Sequence, residues 1–323
     1  MKDSQSTKKK INKKSNFSLQ NILLFLLPLI LLSVLAFLYR MDTSVKKELA
    51  ESTLPSDVVD YTIAAYPLYK QSVTPYISAQ SAIVMEDGSK VVLFSKNPTL
   101  RFSTASTAKV MTAIVSLDFF ASDDRLAVMR EKVEGTVVGF KKGETVRFSD
   151  LLYALLLPSG NDAAYAIADN YPGGAQAFVE KMNEKAQLLH LVNTNYVDPA
   201  GLDDDGNYTT AYDLARLSSY AIKNPTLANI FATKRKIVTN ATETGTYELE
   251  NLNKLLGTNG VNGIKTGFTE GAGGVLATSK IDNGHVFIIV VMKSQDRFYD
   301  TKTLLSLVSN NITYFQPVFQ LGY

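Results

Sequence analysis

The sequence predicts an α+β domain whose sheet carries helices on its faces. Two observations carry this: β-type apolar runs gather near residues 79–95 and again near 263–292, and the long stretch between them has helical spacing. Strands at both ends around a helical middle must pair across the sequence. With 323 residues, 46% hydrophobic and 20% charged, the chain has ordinary globular composition and material for one large core.

In chain order, Ala79–Met85 and Val91–Ser95 are strand-like and flank Glu86-Asp87-Gly88-Ser89, a hairpin signal. Ser106–Phe120 places Val110, Met111, Ile114, Val115 and Leu117 at helical spacing and reads as an amphipathic helix. Helices are expected over Ser149–Ala168, Gly174–Leu191 and Thr210–Lys223. The last opens with Thr210 and Asp213, an acidic variant of the capping box. Strands return at Gly263–Phe268, Gly274–Lys280 and Val286–Met292, followed by a helix from about Asp300 to Asn310.

Ahead of this body lies an address. Residues 1–19 hold six lysines against Asp3, and Ile22–Tyr39 carries no charge. Eighteen helical residues at about 1.5 Å each reach roughly 27 Å, near the hydrocarbon thickness of a bilayer. The lysines precede this stretch, so the reading is a cytoplasmic tail (1–21), a single transmembrane helix (22–39) and an extracytoplasmic remainder. A cleaved signal peptide ending near Val34-Leu35-Ala36 is the alternative, but Phe37-Leu38-Tyr39 prolongs the apolar run past it. Residues 40–76 read as a linker with a short helix near Ser44–Ser52, residues 77–315 as the main folded domain and 316–323 as a tail.

Composition removes several functions. There is no cysteine, hence no disulfide, thiolate metal site or cysteine nucleophile. His190 and His285, the two histidines, lack ligand spacing and read as structural, so no multi-histidine metal centre is expected. Gly201–Gly206 imitates part of a calcium loop, yet its first and twelfth positions would be Gly201 and Tyr212, and a polar turn is the better reading. Beyond residue 19 the chain nets −3 with no basic stripe, which argues against nucleic acid. No cofactor is implied.

Three short patterns then occur in order: Ser106-Thr107-Ala108-Lys109, Ser159-Gly160-Asn161 and Lys265-Thr266-Gly267. The first type recurs at Ser6–Lys9 and Ser44–Lys47, the second at Ser95–Asn97 and Ser309–Asn311, so context must choose between copies. Only Ser106 opens a helix, which holds serine and lysine one turn apart on one face and turns helix N–H groups toward the serine. A serine needs a base, and without a credible histidine the base must be a lysine kept neutral by burial and a neighbouring cation: Lys109, with Lys265 beside it. Gly267 leaves room for a substrate backbone at a sheet edge.

These motifs, with Asp198-Pro199-Ala200-Gly201-Leu202 and Thr210–Ala215, resemble the low-molecular-weight penicillin-binding proteins, the serine D-Ala-D-Ala carboxypeptidases, over roughly residues 78–315. The resemblance implies a β-lactamase/DD-peptidase-like fold, an antiparallel sheet flanked by helices with a helical subdomain. It implies that Ser106 forms an acyl-enzyme, Lys109 accepts its proton, and Ser159 with Asn161 relays protons and holds the substrate. It further implies that Lys265, Thr266 and Arg297 take the terminal carboxylate, and that the N–H groups of Ser106 and Phe268 form the oxyanion hole. The expected partners are peptidoglycan stem peptides ending in D-Ala-D-Ala, β-lactams as covalent inhibitors, and the membrane. A D,D-endopeptidase would use the same groups. A β-lactamase would need a deacylating glutamate, and no Glu-x-x-Leu-Asn segment lies between Asn161 and Lys265. A non-enzymatic wall-binding scaffold would have no use for the full catalytic set.

Overall fold

The computed structural model describes residues 28–43, 65–202 and 205–315. Two units are distinguished, 1–62 and 63–323. In the first, residues 28–43 form an exposed helix, α1. Among the described residues no helix is long and apolar enough to cross a membrane. The expected span begins at Ile22, and its residues 22–27 lie outside the described residues, as do the helix expected at Ser44–Ser52, the 316–323 tail and residues 203–204 of the calcium-loop reading.

In the second unit the strands are β1 (Tyr66–Tyr69), β2 (Ser81–Glu86), β3 (Val92–Lys96), β4 (Phe102–Ser103), β5 (Arg125–Ala127), β6 (Thr145–Arg147), β7 (Tyr208–Thr209), β8 (Arg235–Thr239), β9 (Thr246–Glu250), β10 (Val261–Thr269), β11 (Gly273–Asp282), β12 (His285–Ser294) and β13 (Ile312–Phe315). The helices are α2 (Ala108–Leu117), α3 (Phe148–Leu156), α4 (Asn161–Asp169), α5 (Gly174–Leu188), α6 (Ala211–Ala221), α7 (Pro225–Ala232) and α8 (Arg297–Val308). The central sheet runs β10-β11-β12-β2-β3, antiparallel throughout. The pairing of β2 with β12 is the sequence-distant pairing expected from the strand distribution.

Both faces of this sheet are buried, which explains why β12 reads as one apolar run rather than an alternation. Its side chains still separate by the period of two. Ile288, Val290 and Met292 join the larger core with α2–α7, whereas Phe287, Ile289 and Val291 join the smaller one with Leu304, Leu305 and Val308 of α8.

Three expectations change, and elements appear that the sequence reading did not name, β8, β9 and α7 among them. The single helix over Ser149–Ala168 is two, α3 and α4, because Pro158 removes an N–H donor and Ser159 sits at φ 69°, which no helix accommodates. The helix after Ser106 is not amphipathic: every residue from Ala108 to Ser116 is buried, since α2 packs among α3, α4, α5 and α6. Tyr66–Tyr69, assigned to the linker, pairs as β1 with β13. The hairpin β8–β9 and helix α7 lacked a sequence signal strong enough to mark them, although Asn224 caps α7 by accepting from the N–H groups of Thr226 and Leu227.

At α6 the expected cap is present in half: Thr210 Oγ1 accepts from Asp213 N at 3.0 Å. Asp213 faces elsewhere, accepting from Asn193 N at 2.8 Å and from Thr194 Oγ1 at 2.9 Å, so it fastens the loop after α5.

Candidate active site

Ser106 lies in a short 3₁₀ turn, Ala105–Thr107, that runs directly into α2. Ala105, just before it, holds φ 43°, an uncommon conformation for a residue with a side chain. Strand β10, at the edge of the sheet, passes close to this turn: a Cβ on Gly267 would sit 3.0 Å from Ala105 Cβ and 3.1 Å from Ser106 N. Glycine is therefore what lets the edge strand and the serine turn touch, so the N–H of Ser106 and the end of β10 face one space.

Lys109, the second residue of α2 and one turn on from Ser106, is fully buried. Its Nζ lies 3.0 Å from Ser106 Oγ and donates to the carbonyl of Ala200 at 2.7 Å. Burial pushes this lysine down from 10.5 to about 7, against the opposing pull of Asp198 and Asp162. A neutral amine that gives one N–H to Ala200 O keeps a lone pair for the serine proton.

Lys265, on β10, is also buried, and its Nζ donates to Thr266 O at 3.1 Å. Burial lowers it well below the ordinary lysine range, and repulsion from Lys109 and then Arg297 lowers it further. Two buried ammonium groups cannot both be charged cheaply, so each favours the neutral form of the other.

The remaining expected residues occupy distinct positions. Ser159 is buried, at positive φ, and its Oγ has no hydrogen-bond partner. Asn161, the first residue of α4, is buried and gives its side-chain N–H to Glu134 O at 2.7 Å. Thr266 is buried, whereas Phe268 is 61% exposed at the sheet edge. Arg297 opens α8, its guanidinium carbon 5.8 Å from the Phe268 ring centroid, with Nε buried and unpartnered. Burial lowers its pKa from the usual value. Ser159 Oγ and Arg297 Nε, like several other buried polar atoms such as Ser218 Oγ and Thr278 Oγ1, have no protein partner and are open to water or a ligand.

Two supports, Asp198 and Asp162, were given no role by the sequence reading, although Asp198–Leu202 was among the segments that carried the resemblance. Asp198 accepts from the N–H groups of Ala200 at 2.7 Å and Gly201 at 2.8 Å, and from the Asn207 side chain. This winds residues 198–202 into a turn that aims Ala200 O at Lys109, while Thr112 Oγ1 holds Pro199 O at 2.6 Å. Gly201, at φ 71°, lies so close to Ala105 that a Cβ would fall 1.9 Å from its carbonyl oxygen. An Asp-Pro-x-Gly run is an Asx-turn signal that could have revealed this turn. Asp162, beside the expected Asn161, gathers the N–H groups of Val138, Gly139 and Phe140 and so fixes the loop against which Asn161 leans.

The sequence profile of the family described as D-alanyl-D-alanine carboxypeptidase matches residues 69–296. The chain belongs to this family. Its fold and enzyme class are those of the serine-type D-alanyl-D-alanine carboxypeptidases, which are hydrolases. It is 31% identical to the D-alanyl-D-alanine carboxypeptidase DacF of Bacillus subtilis over 224 residues, 66% of this chain but 57% of that relative. It is also 31% identical to the D-alanyl-D-alanine endopeptidase of Escherichia coli over 258 residues, 77% of this chain and 83% of that one. The crystal structure of the Streptomyces K15 DD-transpeptidase superposes with a TM-score of 0.69 at 31% identity, over 73% of this chain and 98% of that chain.

Proposed function

We propose that this family member removes the terminal D-alanine from peptidoglycan stem peptides by acyl transfer through Ser106. The observation that carries the reading is the 3.0 Å approach of a fully buried Lys109 Nζ to Ser106 Oγ, with burial bringing that lysine to about 7. Ser106 Oγ attacks the carbonyl carbon between the two D-alanines and passes its proton to Lys109. The oxyanion is held by the N–H groups of Ser106 and Phe268. Ser159 Oγ delivers its proton to the leaving D-alanine nitrogen and regains one from Lys109, which leaves the lysine neutral again; Asn161 orients the acyl half, and Lys265, Thr266 and Arg297 meet the terminal carboxylate. Water, activated by the same Lys109 and Ser159 groups, then hydrolyses the ester. β-Lactams imitate the dipeptide end and acylate the same serine.

The substrate lies along the free edge of β10 as an added strand, with its carboxylate toward Lys265 and its acyl half running past Phe268. A second reading, cleavage of D,D cross-links, uses the same atoms and is favoured by the similarity to the Escherichia coli endopeptidase over 83% of that relative's length. For location, we infer an anchor over residues 22–39, with the catalytic unit outside the cell membrane and the lysine-rich tail in the cytoplasm, supported by the charge-free run and the lysines before it.

A fluorescent penicillin and a D-Ala-D-Ala peptide, offered to wild type and Ser106→Ala side by side, test the reaction. Serine-dependent labelling with released D-alanine is expected. Rapid turnover of the penicillin, or labelling that persists in the alanine variant, would contradict it.

A further inference from the structure

A second cleft, of about 370 Å³, opens where the turn after β10 faces the β4–β7 ribbon; Arg101, Ser103, Asp205, Asn207, Tyr208 and Gly271 line it. We propose that this cleft is the subsite for the stem-peptide residue immediately before D-Ala-D-Ala, and that it selects a side chain ending in both an ammonium and a carboxylate. The inference rests on the substrate direction given above.

Place follows from the strand. Lys265 and Thr266 take the carboxylate and Phe268 the oxyanion, so the acyl half of the substrate continues along β10 toward Thr269 and the 270–272 turn. At about 3.4 Å per residue, Gly271 lies within roughly 10 Å of Phe268, the reach of one residue with a long side chain. The same turn is fixed from the other side by Lys293 Nζ, which donates to Gly271 O.

Chemistry follows from the lining. Arg101, exposed at the rim, is oriented by two contacts: its Nε and Nη2 both donate to Asn193 Oδ1, at 3.2 and 2.9 Å, and its guanidinium carbon lies 4.7 Å from the Tyr208 ring centroid. A guanidinium carries further N–H donors beyond those two, and a fixed fork is suited to a carboxylate. Asp205, on the same lining, supplies the opposite charge. A cleft presenting one oriented cation and one carboxylate is complementary to an amphoteric chain end and less so to a lone amine. Ser103 adds a hydroxyl that has no hydrogen-bond partner. Asn207, wholly buried, joins this wall to Asp198 and thus to the turn that holds Lys109. Occupancy of the cleft therefore bears on the same turn that positions the base.

The test uses the full-length protein in detergent and two pentapeptides ending in D-Ala-D-Ala, with meso-diaminopimelate or L-lysine third, reading kcat/KM for D-alanine release. Wild type is expected to prefer the diamino diacid by ~10-fold, and Arg101→Gln to bring the two within ~2-fold while acylation by penicillin, which lacks this side chain, stays at the wild-type rate. Asp205→Asn is expected to slow both peptides by ~5-fold and penicillin not at all. Equal use of the two peptides by wild type overturns the inference, as does an unchanged preference in an Arg101→Gln protein that still reacts with penicillin. Should Arg101→Gln also lose penicillin acylation, the wild-type ratio and Asp205→Asn decide. Failure of folded wild type to react with penicillin or either peptide removes the hydrolase reading and this inference together, whereas release without preference removes this inference alone.

Discussion

Two buried polar clusters of this fold are built to opposite ends. Asp300 on α8 is buried and fully engaged: Ser78 N at 2.9 Å, Ser78 Oγ at 2.7 Å, Ala79 N at 2.8 Å and Ser294 Oγ all donate to its carboxylate. It clamps the approach to β2, the end of β12 and α8 into one joint. Around Ser106 the burial is as deep, but Ser159 Oγ and Arg297 Nε are left without partners and two lysines share one desolvated space. A carboxylate that is fully hydrogen-bonded stabilises the joint it ties, whereas buried polar groups without protein partners are costly unless water or substrate meets them.

That contrast is broken most forcefully at the serine and lysine. Ser106→Ala and Lys109→Met are each expected to lower kcat/KM for D-alanine release by at least ~10³-fold, measured on peptide substrate, with the fold intact by circular dichroism. Lys109→Met is also expected to be no less stable than wild type near pH 6. The sign follows from linkage. The folded value, about 7, lies below the ordinary 10.5, so between them the unfolded chain binds more protons and wild-type stability rises with pH. Chemical denaturation across that window should show the rise in wild type and a flatter course in the variant.

Asp300→Ala sharpens the other side. It strands two N–H groups and two hydroxyls and is expected to cost about 3 kcal/mol of unfolding free energy, with penicillin acylation per folded molecule unchanged. An Asp300→Ala enzyme that kept its stability would show that satisfied burial is not what distinguishes the joint. The smallest effect belongs to Arg235→Ala, which removes an exposed pair with Glu250 at 3.1 Å and should shift stability by less than ~0.5 kcal/mol in urea titration.

The residues proposed to react stood out in the sequence because they come as motifs with a chemical reason for each member. Ser106 and Lys109 need one helical turn between them, which local spacing reveals; Gly267 was read as room for a substrate backbone, whereas the close approach the structure shows there is to Ala105 and Ser106. What holds them was less legible. The Ala200 carbonyl that fixes Lys109 is a backbone atom ninety-one residues away, and no pattern of side-chain types marks it. The fully buried character of α2 was hidden because Lys109, Thr112 and Ser116 look like a polar face until their partners across the fold are known. The break between α3 and α4 was signalled by Pro158 and Gly160, yet an apolar run on either side masked it. The pairing of β1 with β13 joins segments about 240 residues apart and could not be read from either alone.

The most direct measurement is the second-order rate of acylation of Ser106 by a fluorescent penicillin as a function of pH, on the wild-type protein. If buried Lys109 is the base, the rate falls about tenfold per pH unit below about 7 and levels above it. A rate indifferent to pH from about 5 to 9, in protein that remains folded throughout, would contradict the assignment of Lys109 as the group that takes the serine proton.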